Sequence, residues 1–173
     1  MGETAALTTD LLAIATVVGQ LLILVLIGAL VFKPAYLSAI RPYVLPIVFV
    51  ITLIGSVLTL VYSEAFGFAP CGLCWLQRVF LYPLPFISGI ALLVKDTAAW
   101  RYVVALSIPG LLIALYQHFI QMGGSDVLPC PAAPGAADCA QRLVFEFGYI
   151  TFPLMAATLF ALTIVLMLAS RKR

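Results

Sequence analysis

Cysteines stand at positions 71 and 74 in the stretch FAPCGLCWLQRVFLYPLPF, residues 68–86, and an arginine follows at 78 inside an otherwise apolar run. Two thiols at that spacing can form a redox pair, supply half a zinc site, or close a structural disulfide. A second pair, Cys130 and Cys139, lies in GGSDVLPCPAAPGAADCAQR. Four cysteines allow three pairings. A zinc knuckle fits poorly, because eight residues separate Cys130 from Cys139 where about two to four are usual; no metal is expected. Haem attachment fails too, since Trp75 stands where C-x-x-C-H needs histidine. Structural staples and a redox relay both remain open.

Helix geometry favours the relay. At 100° per residue, Cys71, Cys74 and Arg78 fall within an arc of about 60°, and Cys74 and Arg78 are i,i+4 neighbours. The positive end of the helix dipole and the guanidinium both favour a thiolate there. Cys71, preceded by Pro70, is expected at the helix start and nearer water, so that one sulfur faces the membrane and the other the loops. Arg78 can be read as snorkelling to the head groups, but a charge inside a membrane segment is a functional hypothesis by default. Trp75, Phe80 and Tyr82 are expected to wall an apolar slot around it. A lipid-soluble ligand with carbonyl oxygens fits such a slot, and a quinone is the redox candidate. His118, in LYQHFIQM, reads most simply as an interfacial polar residue. Facing Arg78 across the bundle, it would donate to the second quinone oxygen or assist its protonation.

These residues need elements to hold them, and the composition says which. Of 173 residues, 64% are hydrophobic and 9% charged, against about 25% charged in soluble domains. That excludes a water-exposed globule and points to a multi-pass membrane protein. The net charge of +2 gives no reason to expect nucleic acid. Five runs approach the roughly 20 residues needed to cross the hydrocarbon: 11–32, 43–62, 73–94, 102–120 and 149–170. Lipid demands internal backbone bonding, so they are expected to be helices. Pro46, Pro83, Pro85, Pro109 and Pro153 are expected to kink rather than break them. The first run lacks a basic segment before it and a small-residue cleavage site after it, so it reads as a permanent helix.

Charge sets an expected orientation. Lys33, Arg41, Lys95, Arg101, Arg171, Lys172 and Arg173, most of the nine basic residues, fall in alternate connections on one side, which the positive-inside rule makes cytoplasmic. The other side holds Glu3, Asp10, Glu64, Asp126, Asp138 and Glu146 against Arg142. The N-terminus is then outside, the C-terminus cytoplasmic, and all four cysteines face the compartment where disulfides persist. The loop around Cys130 is expected to be mobile. Pro129 and Pro131 favour an extended backbone suited to a partner's groove, and RLVFEF reads as a short amphipathic piece on the membrane surface.

PCGLCWLQR, then YQH, then PC…DCAQR over roughly residues 43–173 resembles the disulfide bond formation protein B family (DsbB), quinone-dependent thiol oxidases of the bacterial inner (cytoplasmic) membrane. The resemblance implies an all-α membrane fold: a four-helix transmembrane bundle over 43–173, with a redox loop near 121–148, plus one extra N-terminal transmembrane helix within 1–42. It implies that Cys130 forms the mixed disulfide with a soluble thioredoxin-fold dithiol oxidase (DsbA-like), with Cys139 its pair. Cys71 would exchange with the loop pair, and Cys74 would meet the quinone, ubiquinone or menaquinone, with Arg78 beside the ring and His118 nearby. Two departures stand out: the extra helix, and a spacer between Cys130 and Cys139 shorter than in many proteobacterial members.

Two other classes compete. A vitamin K epoxide reductase-like protein also has a bundle, a C-x-x-C and a loop cysteine pair, but there the loop pair precedes the C-x-x-C. A structural or adaptor protein with two disulfides gives no reason for Arg78 at i+4 from Cys74.

Overall fold

The computed structural model describes residues 2–32, 37–96, 98–125, 127, 130 and 137–171. Six helices account for most of them: α1 (Glu3–Phe32), α2 (Leu37–Leu60), α3 (Gly72–Leu81), α4 (Pro83–Val94), α5 (Trp100–Gln121) and α6 (Phe152–Ser170). With α3 and α4 taken as one, five segments are long and apolar enough to cross a membrane. The fold is an all-helical membrane bundle, as composition requires.

The third crossing changes direction at Tyr82. Pro83 and Pro85 lack the N–H groups that would continue the ladder, yet Tyr82 keeps helical dihedrals and donates its N–H to the Arg78 carbonyl at 2.9 Å. The result is a kink, not a break. Pro42 and Pro46 sit inside α2 and Pro109 inside α5. Pro153 differs from expectation. The last helix starts at Phe152 rather than 149, with Thr151 as its cap accepting from the Leu154 N–H, so Pro153 occupies the first turn, where a missing donor costs nothing.

The other ends also outrun their apolar runs. α1 begins at Glu3, eight residues before position 11, because Thr8 and Thr9 return their hydroxyls to the Thr4 and Ala5 carbonyls and so remain helix-compatible. The same return bonding satisfies buried Thr52, Ser88, Ser107 and Thr158 within their own helices, as lipid requires. α2 starts at Leu37, which takes Arg41 out of the expected connection and into the helix.

Helix α6 is central, packed against α1, α2 and α5, while α4 leans on α2 and α3 on α5. Val44 and Val48 (α2), Leu81 (α3), Leu84 (α4), Val103 (α5) and Phe160 (α6) form the main core. α5 and α6 approach closely at Gly110, where a Cβ would meet the Phe160 ring within 2.6 Å. At one end of the bundle, Arg41 donates to the Arg171 carbonyl, and Arg101 and Arg171 both lie over the Trp100 ring. The cysteines occupy the opposite end.

Beyond Cys139, the segment read as an amphipathic piece is not helical. It runs into a reversed turn closed by paired backbone bonds between Glu146 and Ile150, with Phe147 and Gly148 at positive φ. Pro129 and Pro131 lie outside the described residues.

Candidate functional site

Cys71 caps α3. Its backbone is extended, with φ −77° and ψ 171°, and its sulfur accepts from the Cys74 N–H at 3.2 Å. Pro70 before it suits that extended entry. Cys71 is bonded to Cys74 and Cys130 to Cys139. Both pairs join one cluster with Leu73 and Ile120. Cys71 starts the helix as expected but is not nearer water: it is 2% exposed and Cys139 is 1% exposed. Cys139 packs with Cys71, whereas Cys74 is the half-buried member and opens on a cavity. Of the expected division, one sulfur toward the membrane and one toward the loops, Cys71 does meet the loop at Cys139, but Cys74 faces a cavity among the helices and is the more exposed of the two.

The cavity has a volume of about 370 Å³ and an almost wholly apolar lining. Cys74, Gln77, Arg78 and Gln117 lie at its sulfur end, and most of the rest comes from α1, α2 and α6, with the segment before α3 and Leu143 completing it. Trp75, Phe80 and Tyr82 do not line it. Trp75 is half exposed and instead lies against the guanidinium, 5.1 Å from ring centre to Arg78 Cζ. The aromatic lining comes from Tyr62, Phe68, Phe152 and Phe160, and Phe152 packs edge to face on both Tyr62 and Phe68. Helical position alone could not find the second set, since Tyr62, Phe68 and Phe152 come from outside the helix that carries Arg78.

Arg78 is buried rather than snorkelling. Its Nη2 donates to the Thr59 carbonyl at 2.8 Å and its Nη1 to Ser63 Oγ at 3.3 Å. Both acceptors adjoin the point where α2 widens into a π turn, Val61–Ala65, a distortion common at functional sites. These partners are neutral. Among the described residues no carboxylate pairs with the guanidinium, which lies beside the cavity with N–H groups to spare.

His118 is placed apart from this end of the cavity. Its Nδ1 lies 2.9 Å from Thr151 Oγ1 at the start of α6, and it is not among the lining residues.

The residue that sequence reasoning missed is its neighbour. Gln117 is 1% exposed. Gln77 Nε2 holds its Oε1 at 2.6 Å, which turns its amide nitrogen toward Cys71 Sγ at 2.9 Å and Cys74 Sγ at 3.3 Å. The same nitrogen reaches the Cys139 carbonyl at 3.5 Å, and Gln121 Nε2 donates to that carbonyl at 3.3 Å and to the Gln141 carbonyl at 3.1 Å. Gln117 thus ties the loop pair to the C-x-x-C, and Gln121 fastens the same loop to α5. The available signal was a run of polar side chains in an apolar helix, which is costly unless used. Gln117→Leu is expected to slow electron transfer between the two cysteine pairs about tenfold, one hydrogen bond to a developing charge, with the KM for a protein dithiol unchanged. Rapid-mixing measurement of each pair's redox state checks this.

Fold and site together define a class: a multi-pass helical membrane protein with two disulfides brought together at one end of its bundle. Residues 40–170 match the family described as disulfide bond formation protein DsbB, and the chain belongs to that family. It is similar to the SPbeta prophage-derived disulfide bond formation protein B of Bacillus subtilis strain 168, 45% identical over 116 residues, or 67% of this chain and 77% of the relative. It is also similar to disulfide bond formation protein C of the same organism, 37% identical over 68% of this chain and 85% of that one. A probable disulfide formation protein of Chlamydia caviae is 37% identical over 69% and 85%. No solved structure matches.

Proposed function

We propose that the protein is a membrane thiol oxidase that reoxidises an extracytoplasmic thioredoxin-fold dithiol oxidase and passes the two electrons to a membrane quinone, sustaining protein disulfide formation. The observation that carries this reading is the division of the C-x-x-C: Cys71 against Cys139, Cys74 open to an apolar cavity beside Arg78. The donor set fits a quinone, since Arg78 and the amides Gln77 and Gln117 offer N–H groups at one end of a space otherwise suited to hydrocarbon. In this reading the cysteines face the bacterial periplasm or its equivalent and the C-terminus is cytoplasmic.

Each handover is thiolate attack on a disulfide. A partner thiolate bonds to Cys130 and releases Cys139 as thiolate; the partner's second thiolate then breaks that mixed disulfide, leaving the partner oxidised and Cys130 reduced. Cys139 attacks Cys71 and releases Cys74 as thiolate. Cys130 next attacks Cys139, restoring the loop disulfide and leaving Cys71 and Cys74 carrying both electrons. Gln117 holds both C-x-x-C sulfurs during these exchanges, and Arg78 favours the negative charge at Cys74. A quinone, when bound, would supply the two-electron, two-proton acceptor at the Cys74 end of the cavity. Cys71 and Cys74 then return to the disulfide.

Purified protein supplied with quinone is expected to reoxidise a reduced thioredoxin-fold dithiol oxidase, one quinone consumed for each disulfide made. Absence of quinone-dependent turnover with any such partner returns the four cysteines to a structural role.

A further inference from the structure

Helix α1 lies outside the matched family region, which begins at residue 40, yet it forms one side of the cavity that Cys74 opens on. Leu12, Ala15, Thr16 and Gly19 line it from α1, facing Ile51, Ile54, Gly55 and Leu58 of α2 across the gap, with α6 behind. α1 packs along α6. Its bond to the α2 side is Thr9 Oγ1 to Tyr62 OH at 2.8 Å, in the π turn beside the Arg78 partners. Further along, Gln20 Nε2 reaches Thr158 Oγ1 at 3.5 Å and Gln20 Oε1 accepts from Tyr149 OH at 3.0 Å. The helix is thus fixed at two levels, and its lining residues fall between them.

The lining residues are also ordered along the helix. Thr9 marks the level of Tyr62, next to the polar end of the cavity. Leu12 through Gly19 run from there away from Cys74 and Arg78, one to three turns along. Among the described residues, no charged side chain and no amide lines that part of the cavity; its walls are mainly aliphatic, with Phe160 on the α6 side and the small residues Ala15, Thr16 and Gly19 on the α1 side. That part therefore suits hydrocarbon, since the Thr16 hydroxyl is already bonded to the Leu12 carbonyl, the Thr158 hydroxyl is satisfied within its own helix, and the remaining polar groups lie toward the sulfur end.

We propose that α1 is a specificity element: its Leu12–Gly19 face is the wall for the apolar tail of the acceptor, so the protein selects quinones by their tails as well as by their rings. The assignment rests on the quinone reading above. A prenyl tail arriving from lipid is already out of water, so entering the cavity gains little from the hydrophobic effect. Discrimination must come from shape and close contact. A wall of small side chains admits a bulky branched tail, and enlarging one of them excludes it.

The test uses the full chain reconstituted in lipid, with one long-tailed prenyl quinone and one tail-less quinone of the same ring, and reduced thioredoxin-fold dithiol as donor. Ala15→Phe is expected to raise the KM for the long-tailed quinone about tenfold, within the range for altering one apolar group in a pocket, and to leave the tail-less quinone unchanged. Leu12→Ala, which removes wall without adding bulk, is expected to shift the long-tailed KM in the same direction and again spare the tail-less one. Ile14→Phe, on the exposed face of α1, is expected to change neither. Equal effects on both quinones in both cavity variants, no effect on the long-tailed one, or the same effect from Ile14→Phe would each overturn the assignment. If the unaltered protein reduces neither quinone, the acceptor reading itself fails and this wall has no tail to hold.

Discussion

Cys130→Ser abolishes turnover with the protein partner, a fall of about 10³-fold or more on the scale of a removed nucleophile, and leaves the quinone half-reaction intact. The expectation follows from where the sulfurs lie. Cys71 and Cys139 are almost fully covered, while Cys130 is the half-buried member of the loop pair and so the one an incoming thiolate can reach. Serine at 130 forms no mixed disulfide and leaves Cys139 unable to be regenerated. Cys74 and its cavity are untouched. The measurement is in two parts: steady-state oxidation of a reduced thioredoxin-fold partner, and a single turnover in which the variant, slowly reduced beforehand with excess small dithiol, is mixed with quinone. Survival of both reactions would show that the relay does not begin at Cys130.

The second large effect is expected at Arg78. Arg78→Ala raises the KM for quinone by about 10- to 100-fold, matching the loss of charged hydrogen bonds of about 1.5–3 kcal/mol, and leaves the KM for the protein partner unchanged. The fold tolerates the change because the Thr59 carbonyl still accepts from Ser63 Oγ at 3.1 Å. Arg78→Lys is expected to recover part of the loss, since a single ammonium keeps the charge but not the planar fork. Steady-state kinetics with each substrate varied in turn decides the matter; equal shifts in both Michaelis constants point to damaged packing.

Much of this architecture was legible because lipid imposes strict rules. Apolar length located all five crossings, and the position of Cys71, Cys74 and Arg78 on one face followed from helical pitch. What escaped the sequence depended on which neighbour each face meets. Gln117 and His118 are adjacent, but successive residues on a helix point about 100° apart, and α5 is packed between α3 and α6. Gln117 turns to the sulfurs on one side and His118 to Thr151 on the other. Nothing in LYQHFIQM states which partner stands where. The burial of Cys71 was hidden likewise, because Cys139, which packs with it, comes from 68 residues further along. Trp75 looked like a cavity wall because it adjoins Cys74 in sequence; in space its ring is taken up by the guanidinium.

The concealment of Cys71 and Cys139 bears on leakage. On the proposed reading the cysteines face a compartment that contains stray small thiols, and an oxidant whose every sulfur met them would be drained continuously. With those two atoms covered, only Cys130 and Cys74 of the four sulfurs are half-buried, and in the proposed relay the first of these is the doorway, where fit to a protein surface decides who passes.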